Sequence, residues 1–285
     1  MEFHVQPSAL TSAGRHAPRL AALPRDVAAL GRVVQGLLLH EHAAPHYGVE
    51  LSDERRSESH IRSMEQMLCL VLERDDRPLS VARAADRRLV GVCRHFAVWM
   101  VAALRAQGVP ARARCGFATY FEPACYDDHW LCEYRDRDAR RWIRVDAQLD
   151  AVHRGFLDID FDVLDVPPDR FLCAGEAWAR CRAGDADPAQ FGIFDLRGLR
   201  FVAGNLLRDL AALNSVELLA WDVWGAMPAA NEPLDDERLA LFDRIAAHTR
   251  ADASGEALRA LYESDERLRV PSRVFNVLRG RLEAI

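Results

Sequence analysis

The sequence predicts an α+β fold in which helices precede a small antiparallel sheet and further helices follow it. Apolar residues recur at helical spacing up to about residue 107, whereas residues 111–147 have strand-like composition interrupted by short polar segments. From about residue 165 onward the spacing is helical again. The chain has 285 residues, of which 50% are hydrophobic and 28% are charged, so it can form one large domain or two modest ones.

Three helices are predicted before the sheet, and each carries apolar residues on one face. They cover residues 24–40, 53–74 and 92–107. The third has the clearest end, because Gly108 follows its last turn and Pro110 cannot continue it.

Three strands follow, and the remainder of the chain is predicted to be mainly helical. The strands cover residues 111–120, 129–135 and 141–147. The later helices lie near residues 168–182, 203–220, 234–248, 254–264 and 271–283.

These elements divide the chain into three predicted parts. They are an N-terminal helical segment at residues 1–52, a core at residues 53–160, and a helical extension at residues 161–285 that packs on the core. The crossing into the extension is expected at residues 161–171, because the paired prolines there can continue neither a helix nor a central strand.

The charge pattern excludes two classes of partner. The formal net charge is −6, and acidic and basic residues alternate without the basic patch that nucleic acid or an anionic membrane requires. The first twenty residues lack the basic start and apolar segment of a signal peptide, and no stretch approaches 18 apolar residues. The seven cysteines are odd in number and form no CxxC pair, so free thiols in the cytoplasm are expected.

Cys93 stands at the predicted start of the third helix, two residues after Gly91. Unpaired N–H groups and the positive end of the dipole favour the thiolate at such a position, which is the reactive form of a nucleophile. A cysteine that only packs in the core is the simpler interpretation, because free cysteines are among the most buried residues. A chemical role for Cys93 therefore needs a base and a group that orients the base.

The last two predicted strands supply both groups. In an antiparallel hairpin the numbers of directly opposed residues add up to a constant. With the turn centred on Arg137 and Asp138 that constant is 275, which places His129 opposite Asp146. Opposed side chains share a face, so the carboxylate can accept a hydrogen bond from the imidazole. A shift of the register by one residue would break the pair.

A cysteine at a helix start, a histidine on one strand and an aspartate on the next also follow the order found in the transglutaminase-like cysteine enzymes. The resemblance runs over roughly residues 55–150. GVCRHFA resembles the family's glycine-x-cysteine helix start, LRAQGVPARARCGF its helix-to-strand passage, DHWLCEY its histidine strand, and RWIRVDAQ its tryptophan-to-aspartate strand.

The resemblance implies a papain-like core in which helices pack on a small antiparallel sheet. It also implies Cys93 as nucleophile, His129 as base and acid, and Asp146 as the residue that orients His129. Two positions depart from the family pattern. His95 stands where members often have an acidic residue, and Trp130 follows His129 directly where a small residue is common.

The implied activity is cleavage or transfer of an acyl group at an amide or thioester bond through a Cys93 acyl-enzyme. A peptide or small-molecule amide is the expected substrate, and a carrier-protein thioester is a further option. The sequence does not choose between hydrolysis and transfer, and a non-catalytic binding protein on the same fold is the alternative. We expect no cofactor and no metal, because the chain has no acidic loop with the EF-hand-like spacing that a calcium site would need.

Two further residues are candidates for binding substrate. Gln148 lies on the same predicted strand face as Asp146, although a structural hydrogen bond would explain it equally well. Trp130 is the second candidate, beside His129 in the histidine strand.

Other histidines and cysteines have simpler interpretations. His95 is a poor base for Cys93, since side chains two residues apart do not face each other on a helix. His40, His42 and His46 fit a solvated helix end or loop. Cys125 and Cys132 flank His129, but without the ligand spacing of common zinc sites.

Overall fold

The computed structural model describes residues 2–136, 138–229, 232–250 and 255–285. The chain divides into two compact units. The first is formed by Met1–Ala113 and Trp130–Pro167, and the second by Arg114–His129 and Pro168–Ile285. The last boundary lies inside the segment where the sequence predicts a crossing. The predicted domain limits at residues 52 and 160 stay predictions.

The α+β class predicted from the sequence is confirmed. The first unit contains the helices α1 (Ala17–Ala21), α2 (Val27–Leu37), α3 (Asp53–Arg56), α4 (Met64–Arg74), α5 (Cys93–Ala106) and α6 (Ala151–Phe156). Its strands are β1 (Leu38–His40), β2 (Leu89–Gly91) and β5 (Trp142–Val145), while β3 (Ala111–Ala118) and β4 (Tyr126–Arg135) contribute residues to both units.

The second unit contains both helices and short strands. Its helices are α7 (Ala174–Ala183), α8 (Leu199–Leu213), α9 (Asp236–Thr249) and α10 (Gly255–Ser264). Its strands are β6 (Phe171–Cys173), β7 (Phe191–Ile193), β8 (Leu196–Arg197), β9 (Asp222–Val223), β10 (Arg273–Asn276) and β11 (Arg281–Ala284).

Side-chain caps decide where the first helices begin. The predicted helix at 24–40 starts as α2 at Val27, because the Asp26 carboxylate accepts a hydrogen bond from the backbone N–H of Ala29 at 2.7 Å. The predicted helix at 53–74 is broken into α3, a 3-10 turn and α4. Ser63 caps the start of α4, so the continuous helix expected from the apolar spacing is wrong.

Helix α5 is almost entirely buried, since every residue from Cys93 to Arg105 lies in the core. Fully burying a large apolar side chain contributes about 1.5–3 kcal/mol, so this helix is a main source of stability in the first unit. Arg105 tolerates burial because its guanidinium donates to the backbone carbonyl of Ala111 at 2.8 Å.

The main sheet has the strand order β6-β3-β4-β7-β8, and β5 also pairs with β4. The β4–β5 and β3–β6 pairs are antiparallel, but β4 and β7 run parallel. The expectation of a purely antiparallel sheet is therefore wrong, and the sheet is mixed. A short parallel pair of β1 and β2 lies in the first unit.

The end of the chain departs from the predicted helix at 271–283. Residues there form the antiparallel pair of β10 and β11, in which Val274 and Asn276 are buried and alternate with exposed residues. Gly280, with φ at +60°, makes the turn between the strands. Throughout the described ranges, no helix is both long and apolar enough to cross a membrane.

Candidate active site

Cys93 is the first residue of α5, as the sequence predicts, and directly follows the extended residue Val92. Its side chain is buried, with 8% of its surface exposed. The first N–H groups of a helix have no carbonyl partner within the helix and carry its positive dipole end. Cys93 therefore lies at the end of α5 where the backbone N–H groups are free to bind a ligand atom.

His95 fixes the backbone at this helix start. Its Nδ1 accepts a hydrogen bond from the N–H of Val92 at 3.1 Å, and its Nε2 donates to the carbonyl of Ile61 at 3.0 Å. Burial, with a contribution from the charge of Arg94, lowers the pKa of His95 to about 3. A neutral imidazole with both nitrogens in use is a structural cap and is not available as a base for Cys93.

Gly91 is required by the same arrangement. A Cβ at this position would lie 2.8 Å from the Cβ and the Cγ of His95, closer than two such atoms approach in folded proteins. The pattern GVCRH is thus explained as one packed unit, in which the glycine makes room for the histidine that caps the cysteine helix.

Strand β2, which leads into Cys93, is held by a buried carboxylate. Glu58 accepts a hydrogen bond from the backbone N–H of Val90 at 2.8 Å and one from Arg74 at 3.0 Å. Leaving the buried N–H of Val90 without its acceptor would typically cost about 1–3 kcal/mol, so Glu58 ties the position of β2 to the stability of the unit.

Asp146 and Gln148 lie just after β5 in the first unit. The N–H of Asp146 donates to the carbonyl of Val163 at 2.9 Å, and the Asp146 Oδ1 accepts from the N–H of Gln148 at 3.0 Å. Both side chains are buried, with 1% and 3% exposed. The Gln148 Oε1 has no hydrogen-bond partner among the described residues.

The predicted register of the hairpin is wrong by two residues. Cys132 pairs with Val145, so the numbers of opposed residues add up to 277. One further step would place Asp146 opposite Leu131, rather than opposite His129. Because the register shifts by two residues, and residues two apart on a strand share a face, His129 lies on the same face of β4 as Leu131.

The loop of this hairpin explains the shift. The N–H of Asp136 donates to the carbonyl of Arg141 at 3.1 Å, which closes a loop longer than the predicted tight turn. Arg140 adopts a left-handed conformation, with φ at 52°, which the sequence does not signal. Arg137, on which the predicted turn was centred, lies outside the described residues.

His129 belongs to the second unit and is 1% exposed. Within that unit its ring is surrounded by Tyr120, Phe121 and Phe171, with centroids at 5.7, 5.0 and 6.4 Å. The preceding Asp128 accepts a hydrogen bond from Asn205 at 2.8 Å, and burial raises the pKa of Asp128.

Trp130, the next residue after His129, lies in the first unit. It is 1% exposed, and its indole Nε1 lacks a hydrogen-bond partner in the described part of the chain. The structure thus assigns Cys93, Trp130, Asp146 and Gln148 to the first unit and His129 to the second.

Sequence reasoning missed a polar cluster in the first unit, formed by Tyr47, Asp150 and His153. The available signal was an aspartate three residues before a histidine at a helix start, which is a capping pattern. Over the described ranges, no group of three or more His, Cys, Asp or Glu side chains has the arrangement of a metal site.

One comparison with known proteins, the family model, agrees with the resemblance. Residues 50–147 match the family model of the transglutaminase-like superfamily. A solved structure of a putative cysteine protease from Cytophaga hutchinsonii aligns with 60% of this chain at 16% identity and a TM-score of 0.34, and the alignment spans 44% of that protein's chain. No curated protein sequence matches significantly. The segment that matches the transglutaminase-like superfamily contains Cys93, His129, Trp130 and Asp146, and Gln148 lies one residue beyond its end.

Proposed function

We propose that this protein is a cysteine enzyme that cleaves or transfers an acyl group at an amide or thioester bond. The observation that carries the proposal is the placement of Cys93 as the first residue of a buried helix, inside the segment that matches the superfamily. Cysteine at such a position is activated as a nucleophile by the helix start.

In the proposed reaction, His129 takes the proton of the Cys93 thiol as the sulfur attacks the substrate carbonyl. The C–N or C–S bond to the leaving group then breaks, His129 returns the proton to the leaving group, and a thioester remains on Cys93. Asp146 fixes the imidazole tautomer and stabilises the imidazolium. Water or an amine then attacks the thioester and restores the thiol.

The oxyanion formed in this attack needs hydrogen-bond donors. The backbone N–H of Cys93 is the proposed first donor, since it belongs to the unpaired first turn of α5. A donor of this kind is typically worth about 3–4 kcal/mol of transition-state stabilisation.

Gln148 and Trp130 are the proposed contacts to substrate. Each is buried, and each has a side-chain polar atom, Oε1 or Nε1, without a partner among the residues described. Because unpartnered buried polar atoms cost about 1–3 kcal/mol each, a ligand that satisfied them would gain affinity. Gln148 can present either its carbonyl or, after an amide flip, its NH₂ group.

The proposed substrates are peptides, small-molecule amides or carrier-protein thioesters. Hydrolysis and transfer share the same acyl-enzyme and differ only in the group that attacks it. The cytoplasmic location expected from the sequence stays a prediction.

Trapping of the acyl-enzyme tests the proposal. The protein is incubated with libraries of peptides and metabolite amides, quenched in acid, and examined by intact-mass and peptide mass spectrometry. We expect an added acyl mass on the peptide that contains Cys93, absent from Cys93→Ala and retained in Cys69→Ala. Equal turnover of an identified substrate by Cys93→Ala and wild type would favour the alternative, a non-catalytic binding protein.

A further inference from the structure

Tyr47, Asp150 and His153 form a closed hydrogen-bonded cluster in the first unit. The Tyr47 hydroxyl donates to the Asp150 Oδ2 at 2.6 Å and lies 3.0 Å from the His153 Nδ1. The Asp150 Oδ1 accepts from the His153 Nδ1 at 3.1 Å and from two backbone N–H groups at the start of α6. Burial alone would raise the pKa of Asp150, but the bonds from His153 and Tyr47 outweigh it and lower the pKa to about 2.

These contacts determine the tautomer of His153. An ionised carboxylate only accepts hydrogen bonds, so the Nδ1 that faces it carries the proton. In the neutral ring the Nε2 is then a bare acceptor. His153 is 2% exposed, and no described residue donates a hydrogen bond to its Nε2. The cluster therefore presents one oriented acceptor without a partner among the described residues.

Ring contacts connect His153 to α5, the helix that begins with Cys93. The His153 ring contacts the His40 ring edge to face, with centroids at 6.3 Å, and the His40 ring lies 6.3 Å from that of Phe96 on α5. His40 also pairs with Gly91 in the β1–β2 register, two residues before Cys93.

Two neighbours of the His153 ring reach the protein surface. Phe156, whose ring centroid is 5.4 Å from that of His153, is 40% exposed and stacks on His46, and His40 is partly exposed.

The local charges determine which donor fits. Asp150 is already satisfied by Tyr47, by the His153 ring and by backbone N–H groups, and the Arg88 guanidinium lies 5.6 Å from the Tyr47 ring. Little negative charge is left to compensate a buried ammonium ion. We infer that the His153 Nε2, held by Asp150 and Tyr47, is a binding site for a neutral hydrogen-bond donor, an amide N–H or a hydroxyl, on a ligand.

The existence of this site does not depend on the proposed function. Only the identification of its ligand as the substrate rests on that function. If the ligand is the substrate, His153 determines specificity at a distance from the reacting carbonyl. Loss of one such hydrogen bond raises KM by roughly threefold to tenfold and leaves kcat unchanged.

Histidine nitrogen NMR tests the site without any turnover. Cys93→Ala protein is labelled with [15N]histidine, and the His153 signals are assigned by their absence from His153→Phe. We expect the neutral ring to carry its proton on Nδ1 and to have an unprotonated Nε2. Acetamide, an N–H donor, or ethanol, an O–H donor, should move the Nε2 signal, and the stronger response identifies the donor type. N,N-dimethylacetamide, which has no N–H, should leave it unmoved.

Several results would overturn the inference: a protonated Nε2, an equal response to N,N-dimethylacetamide, or no response to either donor, as expected if a water alone fills the site. The exposed His42 serves as the control for bulk solvent effects. Because the protein lacks its nucleophile in this experiment, failure of the proposed reaction would leave the result intact, and failure of the site would leave acyl-enzyme trapping at Cys93 intact.

Discussion

Helices α5 and α6 each have a buried histidine near their start, but the two rings carry their proton on different nitrogens. His95 and His153 are each the third residue of their helix, and both lie in the first unit. At α5 the preceding residue is Val92, which has no side-chain acceptor, and the His95 ring accepts a hydrogen bond from the backbone N–H of Val92. At α6 the preceding residue is Asp150, whose carboxylate accepts hydrogen bonds from the free backbone N–H groups of Val152 and His153 and from the Nδ1–H of the His153 ring.

The difference shows that the neighbouring cap, rather than the histidine, sets the tautomer. His95 carries its proton on Nε2 and uses both nitrogens, which makes it a structural residue. His153 carries its proton on Nδ1 and leaves Nε2 without a partner among the described residues. Residue type and helical position are identical, yet only the second leaves a group that can serve a ligand.

The largest expected effect concerns Asp146 and Asp150, which lie at the two ends of the loop between β5 and α6. In the proposed reaction Asp146 fixes the tautomer of His129, so that proposal predicts a loss of kcat by roughly a thousandfold to ten-thousandfold in Asp146→Asn. Asp150→Asn should leave kcat unchanged, since asparagine also caps a helix well. Steady-state kinetics on the trapped substrate, with circular dichroism as a check of folding, compares the two. Similar losses of kcat would remove the distinction between the two positions.

The next effect is on stability. His95→Leu leaves the buried N–H of Val92 and the half-buried carbonyl of Ile61 without their partner, which should lower the free energy of unfolding by about 2–4 kcal/mol. His153→Phe leaves Asp150 with its backbone donors and Tyr47, so the expected loss is only about 1 kcal/mol. Urea unfolding at neutral pH measures both, and a larger loss for His153→Phe would reverse the comparison.

The smallest expected effect is on the pH dependence of the free energy of unfolding, which should differ between the two helix starts. The pKa of His95 is lowered from 6.5 to about 3 in the folded protein. Between these values the unfolded chain binds a proton that the folded chain does not, so the free energy of unfolding falls as the pH falls through this range. The pKa of Asp150 is lowered from 3.8 to about 2, so its stabilisation is lost only below pH 3.8.

His95→Leu should therefore flatten the pH dependence of stability between pH 6.5 and 3, and Asp150→Asn should flatten it only below pH 3.8. Urea unfolding repeated across this pH range gives both curves. Unchanged slopes in both variants would contradict the assigned hydrogen bonds.

The sequence predicts the helix and strands around Cys93 well. The helix at Cys93 begins and ends within one residue of its predicted limits, because apolar spacing, Gly108 and Pro110 all act locally. The strands near 111–118 and 126–135 are also found where their composition indicates.

Features that depend on distant contacts or unusual turns were not predictable. The hairpin register required the left-handed Arg140, and the final segment fits helical and strand spacing equally until Gly280 forms its turn. Tyr47 meets Asp150 across 103 positions of sequence, and residues 114–129 join the second unit although both of their flanks belong to the first. Single-chain periodicity carries no information on such pairings.

The rate of cysteine alkylation tests most directly whether Cys93 is the nucleophile. Cys69, Cys125 and Cys181 are more exposed than Cys93, so accessibility alone would make them react first. Cys69 is the strictest comparison, since Arg15 and His16 lie 3.5 and 3.4 Å from its sulfur, whereas burial raises the pKa of Cys181 to about 11. With brief, limiting iodoacetamide near neutral pH and peptide mapping, we expect Cys93 to react first, and His129→Ala to slow Cys93 without slowing Cys69. Alkylation of Cys69 or Cys125 in folded protein while Cys93 remains unmodified would contradict the assignment of Cys93 as the nucleophile.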